Sequence, residues 1–138
     1  MMRFDDRYFN GFKFTRGQTE KNLDNAMKDL AIAKQDKITE VKFTYAYSAL
    51  IKAGIALANL YDKKVKSVPG HHAKIIEMIS TMLGDGAIEV IGNAMRSKRN
   101  TDFYGGGSEV TNKEAAEYLE FVNGVVTRIS KIAIGKQG

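Results

Sequence analysis

The chain has 138 residues, with 21 lysines and arginines against 16 aspartates and glutamates, one proline, and neither cysteine nor tryptophan. This length is typical of one domain with its own core, and the cysteine count excludes disulfide frameworks, thiolate catalysis, iron–sulfur clusters and cysteine-rich zinc modules. A hydrophobic share of 43% beside 27% charged residues indicates a folded soluble chain rather than a disordered one.

The first half of the chain divides into an arm and two helices. Residues 1–17 are rich in aromatics and lack a sustained period, so they are interpreted as an arm that packs over the core or a partner. Residues 18–138 are predicted to form a single helical domain. Apolar spacings of three and four residues predict helices over 19–35 and 38–65. The second helix has two apolar stripes, which places it at the centre of a bundle or in a subunit interface.

The second half contains three further predicted helices. Pro69 and Gly70 end the second helix, and apolar periods then predict helices over 71–83 and 87–103. Thr111 and Glu114 have the spacing of a capping box, which begins a last helix that continues through 132. No segment is a convincing strand. The predicted fold is therefore all-α, an antiparallel up-and-down bundle of about five helices.

The sequence favours a location away from membranes. The most apolar stretch, 46–60, is interrupted by Ser48, Lys52 and Asn59 and is too short and polar to span a bilayer. The N-terminus carries acidic residues where a signal peptide would have its apolar stretch. We therefore expect a soluble cytoplasmic protein.

Several familiar sites are absent from the sequence. It contains no phosphate-binding glycine loop, no dinucleotide fingerprint and no Glu-x-x-His pair of a dinuclear carboxylate bundle, so we expect no cofactor and no metal. His71 and His72 are adjacent, and neighbouring side chains on a helix diverge by about 100°, which is poor geometry for chelating one metal. Their position at a helix start favours contact with phosphate or acid–base chemistry. The alternative is that one packs or caps the helix while the other is exposed.

Positive charge is concentrated near these histidines and near residue 98. Four lysines flank the histidines, and a second cluster follows in the fourth helix: Lys63, Lys64, Lys66, Lys74, and then Arg96, Lys98, Arg99. Clustered cations attract polyanions, and this attraction supplies most non-specific affinity for nucleic acids. The alternative is a solvated basic face that has no partner.

The end of the fourth helix carries the strongest candidate site. Five side chains fall within one helical sector of about 140°: Arg96, Arg99, Asn100, Phe103 and Tyr104. Two guanidinium groups, an amide and two aromatic rings suit a phosphodiester with a stacked base. The alternative is a solvated helix end at which Lys98 or Arg99 pairs with Asp102.

The order of these features resembles the HEPN domains of prokaryotes, which are compact all-α bundles. Many of them are toxins of toxin–antitoxin or host-defence systems. The resemblance covers about residues 18–133 and leaves the arm unexplained. It rests on these residues: Tyr45-Ala46-Tyr47 with Ala49, Gly70-His71-His72, Arg99-Asn100, Tyr104, and Thr111 with Glu114-Ala115.

The resemblance implies a catalytic motif. Catalytic HEPN members carry an arginine, a polar residue, about three spacers and a histidine, and two protomers join their motifs in a dimer cleft that cuts RNA without a metal. Arg99 and Asn100 match the first two positions, and Tyr104 stands where the histidine is found. Because the pKa of a phenol lies about 3.5 units above that of an imidazole, Tyr104 is a poor base. It would act as an acid, a positioning group or a stacking surface, with His71 or His72 supplying an imidazole if the third helix begins near the end of the fourth.

Two functions from different classes follow, beside a structural bundle without a ligand. The first is a metal-independent endoribonuclease toxin acting at a homodimer cleft, with Arg99, Asn100 and Tyr104 as catalytic residues. In that case the substrate-binding residues are Arg96, Lys98, His71 and His72. The alternative is a non-catalytic helical dimer that binds a nucleotide, an RNA, or an antitoxin partner such as a small nucleotidyltransferase.

Overall fold

The structure, a computed structural model, describes residues 3–105 and 110–137, with side chains described for 3–100 and 110–136. Within these ranges the predicted all-α bundle of five helices is confirmed, and the chain also forms one small two-stranded ribbon. The elements in order are β1 (Phe9–Gly11), α1 (Arg16–Gln35), α2 (Thr39–Leu60), β2 (Lys63–Val65), α3 (His71–Leu83), α4 (Gly86–Gly105) and α5 (Asn112–Gln137).

Helix α2 is the centre of the bundle. Its apolar residues repeat at three- and four-residue steps on more than one face, and the structure buries both stripes. Leu50 and Leu57 of the first stripe are buried, as are Tyr47, Ile51 and Ala58 of the second. The sequence left open whether α2 lies at the centre of the bundle or in a subunit interface. The structure places α2 at the centre, so the second stripe requires no partner subunit.

Helices α1 and α2 form an antiparallel hairpin, and α5 runs beside α2 in the same direction. The start of α2 meets the start of α5, where the Thr39 hydroxyl donates to the side-chain oxygen of Asn112. The two C-terminal ends also meet, with the Lys136 ammonium 4.4 Å from the centre of the Tyr61 ring. This arrangement leaves the remaining side of α2 to the α3–α4 hairpin.

Helix α3 lies directly against α2 and α4 because glycines stand at both crossings. A Cβ atom added at Gly54 of α2 would lie 2.3 Å from Cγ2 of Ile75. One added at Gly92 of α4 would lie 2.7 Å from Cγ2 of Ile76. These close approaches hold α3 against the middle of α2 and the N-terminal half of α4.

The prediction that the chain contains no strand was wrong. Helix α2 also ends five residues earlier than expected, at Leu60 rather than at residue 65. Asp62 adopts a left-handed conformation with φ of 57°, which terminates the helix, and Lys63–Val65 then pairs antiparallel with Phe9–Gly11. Phe9 is buried, so the arm packs on the bundle through this ribbon. A pair of three-residue strands is too short to show a sequence period.

Two capping boxes define helix starts. The predicted box before α5 is confirmed, because the Thr111 hydroxyl accepts from the Glu114 N–H at 3.0 Å and the Glu114 carboxylate accepts from the Thr111 N–H at 3.1 Å. A second box, formed by Thr15 and Gln18, begins α1 at Arg16 rather than at residue 19. Such caps satisfy first-turn N–H groups that have no partner within the helix.

Over the described residues, none of the helices combines the length and apolarity that crossing a membrane requires.

Candidate functional site

The candidate site is an open depression of about 560 Å³ between the first turn of α3 and the C-terminal half of α4. Its floor and rim bring together five of the seven site residues predicted from the sequence: His71, His72, Arg96, Arg99 and Asn100. From the sequence, His71 or His72 is expected to reach the site only if α3 begins near the end of α4. Helix α3 does begin there.

Of the other two predicted residues, one lies elsewhere and one has a side chain that the structure does not describe. The Lys98 ammonium lies 3.1 Å from a carboxylate oxygen of Glu114, so this side chain points towards the start of α5. The side chain of Tyr104 lies outside the described residues. Lys74, which the sequence placed beside the histidines, pairs instead with Glu77 at 3.3 Å and with Asp5 of the arm at 3.8 Å.

The turn before α3 sets the direction of His71. Gly70 has φ of 84°, in the left-handed region that favours glycine, and this lets the chain reverse immediately before the helix. The His71 Nδ1 donates to the Val68 carbonyl at 2.8 Å. In the neutral imidazole, Nε2 is then the nitrogen with a free lone pair. No side chain caps this helix start, and its first residues line the depression, so the positive end of α3 lies beside the depression.

His72 is hydrogen-bonded to Tyr47 of the central helix α2. The Tyr47 hydroxyl and His72 Nδ1 lie 3.0 Å apart, and burial raises the pKa of Tyr47 to about 12, so the phenol keeps its proton. We assign the phenol as the donor, because this nitrogen is the one acceptor within reach of the buried hydroxyl among the described residues. The hydrogen of the neutral imidazole is then on Nε2.

Burial, followed by the electrostatic effects of His71, Arg99 and Arg96, lowers the pKa of His72 to about 4. Both effects disfavour the imidazolium form. His72 is therefore neutral near pH 7 and acts there as a hydrogen-bonding group rather than as a cation.

Two arginines supply the fixed positive charge. The Arg99 guanidinium carbon lies 5.5 Å from the centre of the Tyr47 ring, within the range of a cation–π contact. Arg96 donates from Nε to the Asn93 side-chain oxygen at 3.2 Å, which leaves its terminal nitrogens for other acceptors. Among the described residues neither arginine has a carboxylate partner, and none of the described residues that line the depression is acidic.

Sequence reasoning missed Tyr47 as a site residue. It was assigned to the second apolar stripe of α2, which is correct for its ring, since the side chain is 2% exposed. The available signal was chemical rather than periodic, because a buried tyrosine hydroxyl almost always finds a hydrogen-bond partner. Nothing in the spacing of the chain indicates that this partner is His72.

The arrangement suits an anion that carries hydrogen-bond acceptors. Guanidinium groups and the N–H groups at a helix start are standard ligands of phosphate, and Asn100 adds an amide at the rim. Over the residues that the structure describes, no three histidine, aspartate or glutamate side chains are close enough to hold a metal ion together.

Comparison of this chain with models of protein families, with curated proteins and with solved structures gives no match.

Proposed function

We propose that the depression binds a phosphodiester of single-stranded RNA, and that the protein is a HEPN-like, RNA-directed protein that cleaves its substrate without a metal. The observation that carries the proposal is the convergence of two arginines, an amide, two imidazoles and a helix start on one open depression. A phosphodiester fits this set because it is a compact anion flanked by sugars that offer and accept hydrogen bonds.

The binding part of the proposal assigns one role to each element. Arg96 and Arg99 bind the non-bridging phosphate oxygens, and the first turn of α3 donates backbone N–H groups to the same phosphate. Asn100 contacts the sugar or phosphate at the rim. Tyr104 stacks on or bonds to the substrate, a role that the family resemblance implies.

The chemical part of the proposal uses His71 as the base. The ribose 2′-oxygen attacks phosphorus and gives its proton to Nε2 of His71, while the bond between phosphorus and the 5′-oxygen breaks. The departing 5′-oxygen takes a proton from solvent water, and the products end in a 2′,3′-cyclic phosphate and a 5′-hydroxyl. Arg99 and Arg96 stabilise the negative charge that grows on the phosphoryl oxygens.

The second candidate, binding of RNA without cleavage, is favoured by one specific observation. Because the pKa of His72 is lowered to about 4, this imidazole holds no extra proton near neutral pH that it could give to the departing oxygen. Efficient acid–base cleavage normally uses both a base and an acid. In this second candidate function, the depression binds the phosphodiester and does not cleave it.

The homodimer, the antitoxin or nucleotidyltransferase partner and the cytoplasmic location belong to the proposal through the family resemblance alone. In the homodimer the ends of two α4 helices would face each other, and each would add Arg99 and Asn100 to a common cleft.

The proposed function is tested with a 12-nucleotide oligouridylate incubated with the protein in excess EDTA, beside the same oligomer in 2′-O-methyl form. We expect both to bind, and only the unmodified oligomer to be cut, to fragments with 2′,3′-cyclic phosphate ends. Binding of both without cutting supports the non-catalytic candidate. Failure of both oligomers to bind at micromolar protein contradicts the proposed function in either form.

A further inference from the structure

An unusual surface lies on the outward side of the β1–β2 ribbon. The Phe12 side chain is 45% exposed, and its ring packs on Phe14 with the centroids 4.6 Å apart. The Lys64 ammonium lies 5.7 Å from the centre of the Phe12 ring. A large exposed aromatic side chain that is paired with a second ring and a cation resembles a binding surface more than a packing defect.

The alternation of the strands explains why these groups face outward. Phe9 is paired with Val65, and Phe9 is buried, so this pair faces the core. Asn10 is paired with Lys64, and since successive side chains alternate between the two faces, this pair faces outward. Phe12 falls on the same outward face as Asn10.

A second pair of groups extends this surface. The Phe12 N–H donates to the carbonyl of Asp62 at 3.0 Å, which brings Phe12 beside the C-terminal end of α2. There the Tyr61 side chain is 40% exposed, and the Lys136 ammonium lies over its ring at 4.4 Å. Each of the two exposed rings, Phe12 and Tyr61, therefore has a lysine ammonium over it.

The surface carries net positive charge. Lys64 and Lys136 each lie over one of its rings, and the two segments 9–14 and 61–65 that form the ribbon and its ends contain one acid, Asp62. Aromatic rings interleaved with lysines are the arrangement that binds single-stranded nucleic acid, because every base has a face that stacks and every nucleotide adds a negative charge.

The chain leads directly from this surface to the candidate site. Gly70, at the edge of the depression, follows Lys64 by six positions, a span of at most about 21 Å. Single-strand binding surfaces commonly cover four nucleotides or more. One strand can therefore occupy both places at once.

We propose that the ribbon platform, defined as Phe12, Phe14, Tyr61, Lys64 and Lys136, stacks the bases of the single-stranded RNA that flanks the phosphodiester held in the depression. This inference rests on the proposed function and adds to it a second contact surface for the same strand. The protein then binds an extended single strand of several nucleotides rather than an isolated nucleotide or a duplex, whose bases are already stacked and paired.

The platform is tested by measuring the affinity of two 2′-O-methyl oligouridylates, a dinucleotide and a 12-mer, by fluorescence anisotropy. Removal of a stacking ring weakens single-strand binding about 10-fold, so Phe12→Ala is expected to weaken the 12-mer about 10-fold and to leave the dinucleotide unchanged. Phe12→Trp, which keeps a ring, restores the affinity. Arg99→Ala weakens both oligomers.

Two further variants make the result specific. Val90→Ala removes a side chain that is 72% exposed and belongs to neither the platform nor the depression, and it is expected to leave both affinities unchanged. Lys64→Glu keeps every ring and reverses one charge, so it weakens the 12-mer even if Phe12→Ala folds poorly.

The possible failures are distinguishable. If Phe12→Ala and Lys64→Glu bind the 12-mer as the wild type does while Arg99→Ala weakens it, the platform is overturned and the proposed function stands. If the wild-type protein binds neither oligomer, both the proposed function and the platform are overturned. The ribbon surface would then be tested for binding to a protein partner.

Discussion

Arg99→Ala is expected to lower the rate of RNA cleavage about 100-fold, or about 2.7 kcal/mol of transition-state stabilisation. The guanidinium of Arg99 lies over the Tyr47 ring and, among the described residues, is balanced by no carboxylate. Its loss removes the charge that the proposal places on the reacting phosphate. Arg99→Lys keeps the charge without the two-pronged geometry and is expected to recover only part of the rate.

Arg99→Ala is also expected to change the salt dependence of RNA binding, which is measured separately from cleavage. Each phosphate contact contributes about one unit to the slope of log affinity against log salt concentration, so Arg99→Ala is expected to reduce that slope by about one. Lys131→Ala is the matched control, because Lys131 is an exposed cation of α5 that does not line the depression. If the two variants lose rate and slope equally, Arg99 contributes only general charge and the assigned site is wrong.

Gly54→Val is expected to lower the free energy of unfolding by about 3 kcal/mol, the upper part of the usual range for overfilling a packed contact. Even a single Cβ at this position would lie 2.3 Å from Cγ2 of Ile75 and 2.8 Å from Cδ1 of Ile79. Helix α3 must therefore move away from α2. Because α3 carries His72, this shift also breaks the contact with Tyr47.

Gly124→Val is the control for that experiment. A Cβ at Gly124 of α5 would meet nothing within 4 Å, and valine has a somewhat better helix propensity than glycine. Urea denaturation should therefore find this variant at least as stable as the wild type. Equal stability of both variants would contradict the close packing of α3 on α2.

The helices are predictable from the sequence because their stability comes from apolar faces that repeat every three or four residues. Leu50 and Leu57 show this repeat and are buried as expected. The start of α5 is predictable from local chemistry, since Thr111 and Glu114 satisfy each other's backbone N–H groups. Both signals lie within a few residues of the element they define.

The β1–β2 ribbon and the contact between Tyr47 and His72 both join residues that are far apart in the chain. Strand β1 pairs with a segment more than fifty residues away, and neither strand is long enough to show alternation. The contact between Tyr47 and His72 likewise depends on how α3 crosses α2. Spacing within one helix predicts that Arg96, Arg99 and Asn100 share a face, but not which groups stand opposite them.

Lys98 illustrates the same limit of local reasoning. Its sequence neighbours Arg96 and Arg99 line the depression, and charge clustering alone groups all three. The side chain points instead to Glu114 of α5, because consecutive residues of a helix face different directions. Only the neighbouring helix decides which cation meets the site and which forms an ion pair.

The most direct test of the central claim is NMR titration of the imidazole signals of His71 and His72 with a 2′-O-methyl uridine dinucleotide. A bound phosphodiester is an anion beside His72 and stabilises its protonated form, so we expect both signals to move and the pKa of His72 to rise from about 4. Uridine, which lacks the phosphate, should leave that pKa unchanged. Unmoved imidazole signals at saturating dinucleotide, with changes confined to other parts of the protein, would contradict the claim that this depression holds the phosphodiester.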